Sequence, residues 1–304
     1  MAELWSIDGI LSSEFWMSGV LPITKLTSTT LDEFLGQQAS DGRQTVIDLT
    51  PVEFVTPGAL VPLAAICHSI AKSSRITIRL SDGQLRTYLM RSGFTSVLAG
   101  IADFNPSIPI ARTRIFEALR GTNPVILEVT KIENGAALPD LLKQIVHVLR
   151  YRLKYQKYDA YDIAIAISEI CQNTFDHNSD TCGFIAMQMY GAKGKRFLEI
   201  AVADHGVGLR ETLLQNSKNP PMNSDFDAIE LATQLGASQF DDPTRGTGLH
   251  HLLQIAYKHE AAVEFRTGVA KVRFRMDKRR GWRFGCSATP GVLVNLNLPS
   301  KKKV

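Results

Sequence analysis

The order of hydrophobic patterns after residue 122 constrains the fold more than any other feature of the chain. "NPVILEVTKI" (123–132) reads as a strand, and two helical patterns follow, "LPDLLKQIVHVLRYRLKY" (138–155) and "DAYDIAIAISEICQNTF" (159–175). "CGFIAMQMY" (182–190) and "RFLEIAVAD" (196–204) are strands. After a polar stretch come a helix, "GLHHLLQIAYKHE" (248–260), and the strands "AAVEFR" (261–266), "KVRFRM" (271–276) and "GVLVNLNLP" (291–299). Helices first and a run of strands last imply an α+β sandwich, with helices on one face of a mixed sheet.

The N-terminal part has a different rhythm. "TVIDL" (45–49) is a strand, "GALVPLAAICHSIAKS" (58–73) a helix, "RITIRL" (75–80) a strand and "GQLRTYLMRSG" (83–93) a helix. That βαβα order predicts a small α/β domain over residues 1–115. "DFNPSIPIART" (103–113), with two prolines, is the linker expected before a second domain at 121–300, and 301–304 form a basic tail.

Composition narrows the class. The chain is 44 % hydrophobic and 21 % charged, as in ordinary globular proteins. No stretch approaches the ~18 to 20 apolar residues of a membrane span, and "MAELWSIDGI" lacks the character of a signal peptide. Cys67, Cys171, Cys182 and Cys286 form no CxxC pair, which argues against a structural zinc site and fits free thiols in a reducing cytosol. A cytoplasmic location without a membrane partner is expected. Charge is uneven: residues 266–304 hold eleven Lys or Arg and one acid, a net of +10, so residues 1–265 carry a net of −6. A solvated hairpin explains the basic arm, because Val272, Phe274 and Met276 alternate with Arg273 and Arg275. An anionic partner such as nucleic acid is the alternative, and it is not favoured.

Chemistry concentrates at the end of the second helical pattern, "SEICQNTFDHN" (168–178). On a helical wheel Asp162, Glu169, Asn173 and Asp176 fall within roughly 60° of one another, beside the apolar stripe Ile163, Ile167, Ile170 and Thr174. Between Gln156 and Lys193 the only Lys or Arg is Lys157, so sequence neighbours leave this acidic flank unpaired. Two glycine turns follow. The strand ending at Asp204 runs into "HGVG", where Gly206 and Gly208 allow close backbone approach. "RGTGLHHL" (245–252) opens a helix whose free N–H groups and dipole favour phosphate oxygens, with Thr247 able to cap and Arg245 adding charge. It is neither a Walker A loop nor a dinucleotide fingerprint.

Each signal alone reads as a plain turn or helix end. In fixed order they resemble the N box and the two glycine boxes of the GHKL ATPases, whose fold is called the Bergerat fold, over residues 121–300. The resemblance implies ATP and Mg²⁺ as cofactors. It implies Asn173 as magnesium ligand, Glu169 as general base and Asp204 as the adenine-reading carboxylate, with Gly206 and Gly208 as its loop. Asp176, Arg245, Gly246, Thr247, Gly248 and Leu249 would complete the nucleotide site, and residues 210–245 would form a mobile lid. Many members carry a Gly-Thr pair on the last strand, where this chain has Gly291-Val292. Either Thr289 substitutes for that threonine or the contact is lost.

A Glu-xxx-Asn N box looks more like anti-sigma-factor serine kinases than like sensor histidine kinases, and His147 reads as packed within its helix. "TVIDLTPVEFVTPGALVPLAAI" (45–66) is similar to the core of STAS domains, the usual partners of those kinases. Their phosphorylated serine precedes the helix-opening glycine, where this chain has Pro57, so a docking module is implied. The resemblance thus implies a bacterial ATPase or a protein serine/threonine kinase with a regulatory protein partner. A homodimer stays open, as do a non-catalytic nucleotide-gated scaffold and a nucleic-acid module at 266–304.

Overall fold

The structure, a computed structural model, describes residues 7–10, 22–40, 43–108, 126–176, 182–191, 196–234, 248–275 and 280–301. It is mixed α/β. The first region carries a four-stranded sheet ordered β3 (Ala39–Ser40), β4 (Gln44–Asp48), β6 (Arg75–Arg79), β7 (Ala102–Asn105), with β4, β6 and β7 parallel. Helix α2 (Pro57–Ile70) connects β4 to β6, and α3 (Gln84–Arg91) with α4 (Phe94–Val97) connects β6 to β7. A short parallel pair, β2 (Lys25–Leu26) and β5 (Phe54–Val55), and α1 (Leu31–Gly36) complete it. The segment expected as a linker, 103–113, therefore begins within a strand. Residues 102–105 are a strand on β6, and residues 109–125 lie outside the described part.

The second sheet contains β8 (Ile126–Ile132), β9 (Gly183–Tyr190), β10 (Phe197–Asp204) and β12 (Arg280–Pro299) in antiparallel succession, and β11 (Ala262–Arg275) pairs with β12. The separate strands expected after residue 260 are one long hairpin, bent where the register shifts around Gly268. β1 (Ile7–Ile10) lies parallel to β12, so an N-terminal segment completes the sheet of the second region. Helix α5 (Leu138–His147) gives way to a wider π-helical turn at Val148–Arg152, before α6 (Lys157–Asp176). His147 is exposed against Tyr151 rather than packed. The remaining helices are α7 (Leu209–Leu214), α8 (Asp225–Ala232) and α9 (Gly248–Lys258). None of the described helices is long and apolar enough to cross a membrane.

The sheet of the second region is buried on both faces, and strand alternation assigns the residues. Ile185, Met187, Leu198, Ile200 and Val202 join the core formed with α5, α6 and α9. Phe184, Ala186, Ala201 and Ala203 point the other way, into a core shared with Leu60, Leu63 and Ala64 of α2. Three alanines on that face let a helix rich in small residues approach closely. The helices of residues 126–299 thus cover one face, and α2 of the first region covers the other, joining the two regions through a common core.

One carboxylate sits in that second interface. Glu199, buried on β10, accepts hydrogen bonds from Thr56 Oγ1 (3.2 Å), Gly58 N–H (3.2 Å) and Asn295 Nδ2 (3.0 Å). Burial raises its carboxyl above the ordinary range, and the three donors pull it back. Placed at the first turn of α2, it also meets the positive end of that helix. The basic arm is likewise tied down within the chain. Arg266, only 1 % exposed, pairs with Asp32 (2.6 Å), Lys271 also reaches Asp32, Arg273 pairs with Glu264, and Arg283 pairs with Glu230.

Gly58 gives a test with an inverted sign. Gly→Ala inside a helix ordinarily stabilises by roughly 0.5–1 kcal/mol. A Cβ here would lie 2.5 Å from both Asn295 Nδ2 and Glu199 Oε1. Gly58→Ala should instead destabilise by about 1–3 kcal/mol in urea unfolding.

Candidate functional site

The site collects where α6 ends over the C-terminal end of β10. Thr174 of α6 packs on Gly183, so closely that a Cβ there would lie 2.1 Å from Thr174 Oγ1. Gly183 is the register partner of Asp204. Asn173, exposed on α6, is therefore one residue from the helix position that touches the strand pair ending at Asp204. By strand alternation Asp204 faces the helix side with Leu198, Ile200 and Val202.

Asp204 is fixed by backbone donors. Its Oδ1 accepts from Gly206 N–H (2.7 Å) and its Oδ2 from Val292 N–H (3.2 Å). Gly291 packs against it with φ +62°, where a Cβ would stand 2.2 Å from Asp204 Oδ1, and Gly291 N–H donates to Gly206 O. Both the missing side chain and the left-handed conformation are required there. Burial raises the Asp204 carboxyl from 3.8 to about 6 against the pull of the two N–H donors.

A hydroxyl does stand in this corner, and it belongs to Thr267. Buried Thr267 donates to Gly291 O (3.0 Å) and accepts from Leu209 N–H (3.0 Å). Gly208, at φ +90°, runs so close that a Cβ would lie 2.8 Å from the same oxygen. Thr289 is engaged elsewhere: its hydroxyl accepts from Arg266 Nε (3.2 Å) and donates to Gly268 O (3.3 Å). The signal available for Thr267 is its neighbour Gly268: the two short strands expected on either side run as one, and a glycine inside a strand marks a bulge.

Gly248, where the second glycine turn gives way to its helix, meets the acidic flank directly. Gly248 is the first residue of α9, and a Cβ on it would lie 3.1 Å from both Cβ and Oε2 of half-buried Glu169. Leu249 anchors that end of the helix in the core. Lower on α6 the acids do find partners across the helix pair, since Asp162 reaches His251 Nε2 (2.9 Å) and Asp159 reaches Lys258 Nζ (2.6 Å). The flank that is unpaired in sequence thus divides in space. Asp162, and Asp159 one turn before it, meet side chains of α9, whereas Glu169 lies against its first residue.

Of the other expected residues, Asp176 ends α6 with its side chain outside the described part, and Arg245, Gly246 and Thr247 lie outside the described residues. The expected lid is described only to residue 234, where it forms α7 and α8. Arg210 donates to Met222 O, Asp225 accepts from Val269 N–H at the β11 bulge (2.9 Å), and Thr233 O meets His250 Nδ1 (2.9 Å). Lys301 bonds Leu153 O and lies over Tyr155, and the rest of the tail is outside the described residues.

No protein-family model matches this chain, and no curated protein matches it either.

Two measurements follow from Asp204 and its glycine. Gly291→Ala should destabilise the fold by more than the ~1 kcal/mol usual for a point substitution, because strain at positive φ adds to a contact with a fixed carboxylate. Chemical denaturation reads this. Because the folded pKa of Asp204 is raised, its contribution to stability is complete below 3.8 and is lost as pH rises through about 6. Asp204→Asn removes that titration, so its stability relative to wild type should increase between those two pH values.

Proposed function

We propose that this protein is a magnesium-dependent ATP-binding protein of the Bergerat-fold class, acting in bacterial regulation in the cytoplasm. In this reading it hydrolyses ATP or transfers its terminal phosphoryl group to a Ser or Thr of a partner protein. Residues 1–115 would serve as a STAS-like docking module. The observation that carries the reading is the contact between Glu169 and Gly248. A carboxylate one helical turn before Asn173 lies against the first residue of a helix, and Thr174 of the same α6 packs on the strand pair that ends at Asp204.

The residues present fit the groups the reading requires. Each Asp204 oxygen takes one backbone N–H and keeps capacity for a further donor, which suits the exocyclic amine of adenine. Asn173 is exposed and offers a side-chain oxygen of the hard type magnesium takes, alongside waters and phosphate oxygens. Magnesium, when bound, neutralises charge on the phosphates. The N–H groups at the start of α9 supply donors and the positive end of a dipole to the same anion. Glu169 orients the attacking water or hydroxyl and accepts its proton, a role worth typically ~10²- to 10⁴-fold.

The test separates binding from turnover. Wild type should bind ATP with magnesium in isothermal titration, Asp204→Asn should lose adenine selectivity, and Asn173→Ala should lose magnesium-dependent affinity. Glu169→Ala should slow phosphate release by ~10²- to 10⁴-fold while ATP affinity stays within about a few-fold. Absence of adenine-nucleotide binding by wild type rejects the reading. Unchanged turnover in Glu169→Ala would instead leave a nucleotide-gated scaffold.

A further inference from the structure

We infer that His68, Cys182 and His205 form a binding site for a transition-metal ion of the zinc class. This rests on no part of the nucleotide reading. The three residues come from separate elements: His68 from the last turns of α2, Cys182 from the residue before β9 and His205 from the residue after β10. One ligand atom from each lies within 4.8 Å of the others. Two nitrogens and a sulfur are the donor set that selects zinc over magnesium or calcium.

The geometry supports a bound ion beyond mere proximity. Zinc held at about 2.3 Å from sulfur and about 2.1 Å from nitrogen, in tetrahedral geometry, separates those two ligands by about 3.6 Å. Cys182 Sγ and His205 Nε2 are 3.4 Å apart. A thiol–imidazole hydrogen bond alone would explain that pair, but it gives no part to the third ligand. The His68 ring stacks on His205 at 5.9 Å. Its Nε2 lies 2.9 Å from Val97 O, and a carbonyl can only accept, so Nε2 carries the proton and Nδ1 keeps the free lone pair. A ligating histidine held by a backbone carbonyl through its other nitrogen is the outer arrangement that metal sites use.

Among the described residues, His205 Nε2 meets the thiol and a long contact from Cys182 N–H (3.4 Å), so the protein engages that nitrogen only weakly. Lys72 and Lys131 oppose a positive ion, whereas Glu133 and Asp204 favour it. Cys182 would bind as thiolate and release its proton to solvent. His68 is only partly buried. The ligands are 114 and 23 residues apart in sequence, read from their positions, so no CxxC-type spacing announces them. An ion here would tie α2 to the strand ends, beside Asp204.

The experiment uses the full chain purified without chelator, loaded with zinc, desalted and assayed by mass spectrometry of the metal. Wild type should retain about one equivalent per chain, and Cys286→Ser should match it. Cys182→Ser and His68→Ala should each lose more affinity than the ~10- to 100-fold that removal of outer partners costs. Cobalt(II) loaded into wild type should show a sulfur-to-metal charge-transfer band, which needs no variant to fold and is absent from Cys182→Ser. Zinc retention no higher than in Cys182→Ser, retention undiminished in both ligand variants, or a wild-type cobalt spectrum without sulfur character would each overturn the inference.

Discussion

The burial of β9 and β10 on both faces fixes the position of everything else. Because both faces are buried, a slip in register would exchange the contents of one core for those of the other. Moving β10 by one residue would turn Leu198, Ile200 and Val202 toward α2 and push Glu199 into the core under α6. The same register sets Gly183 opposite Asp204, so the packing of α6 through Thr174 and the aim of the carboxylate are consequences of one alignment.

Two carboxylates on β10 show how environment divides like groups. Both are raised by burial, and both are held by donors. Glu199 is enclosed between sheet and helix, and a single oxygen takes three donors from α2, its preceding residue and β12. Asp204, five residues on and on the opposite face, takes one backbone N–H per oxygen at a partly open strand end. The first gathers donors from both regions on one oxygen and serves to join them. The second retains acceptor capacity toward solvent.

Much of this was legible from residue patterns. The order of helices and strands, the turn after Asp204 and the helix opening at Gly248 follow from local periodicity and glycine placement. The α2 face of the sheet was written in the nearly unbroken apolar runs "CGFIAMQMY" and "FLEIAVAD", which is how strands covered on both sides read. Those runs did not say which segment supplies the cover. Pairings between distant segments left little local trace: Asp162 with His251, Arg266 with Asp32, and Thr267 beside Gly291 depend on tertiary placement. Thr289 was near the right glycine in sequence but sits across the β11 bulge in space. Residues 103–105 looked like the start of a linker because prolines follow them, although they pair with β6 as a strand.

The place of β12 in the sheet has a consequence for how the chain is made. It lies between β10 and β11, although it follows both in sequence. While the chain is being synthesised, β8, β9 and β10 can pair, but the outer edge of β10 stays open and β11 has nothing to join. Val292 N–H and Gly291 O, which hold Asp204 and Thr267, also arrive only then. The corner around Asp204 is thus among the last parts of the protein to exist, assembled when the middle strand slides in between neighbours that were made before it.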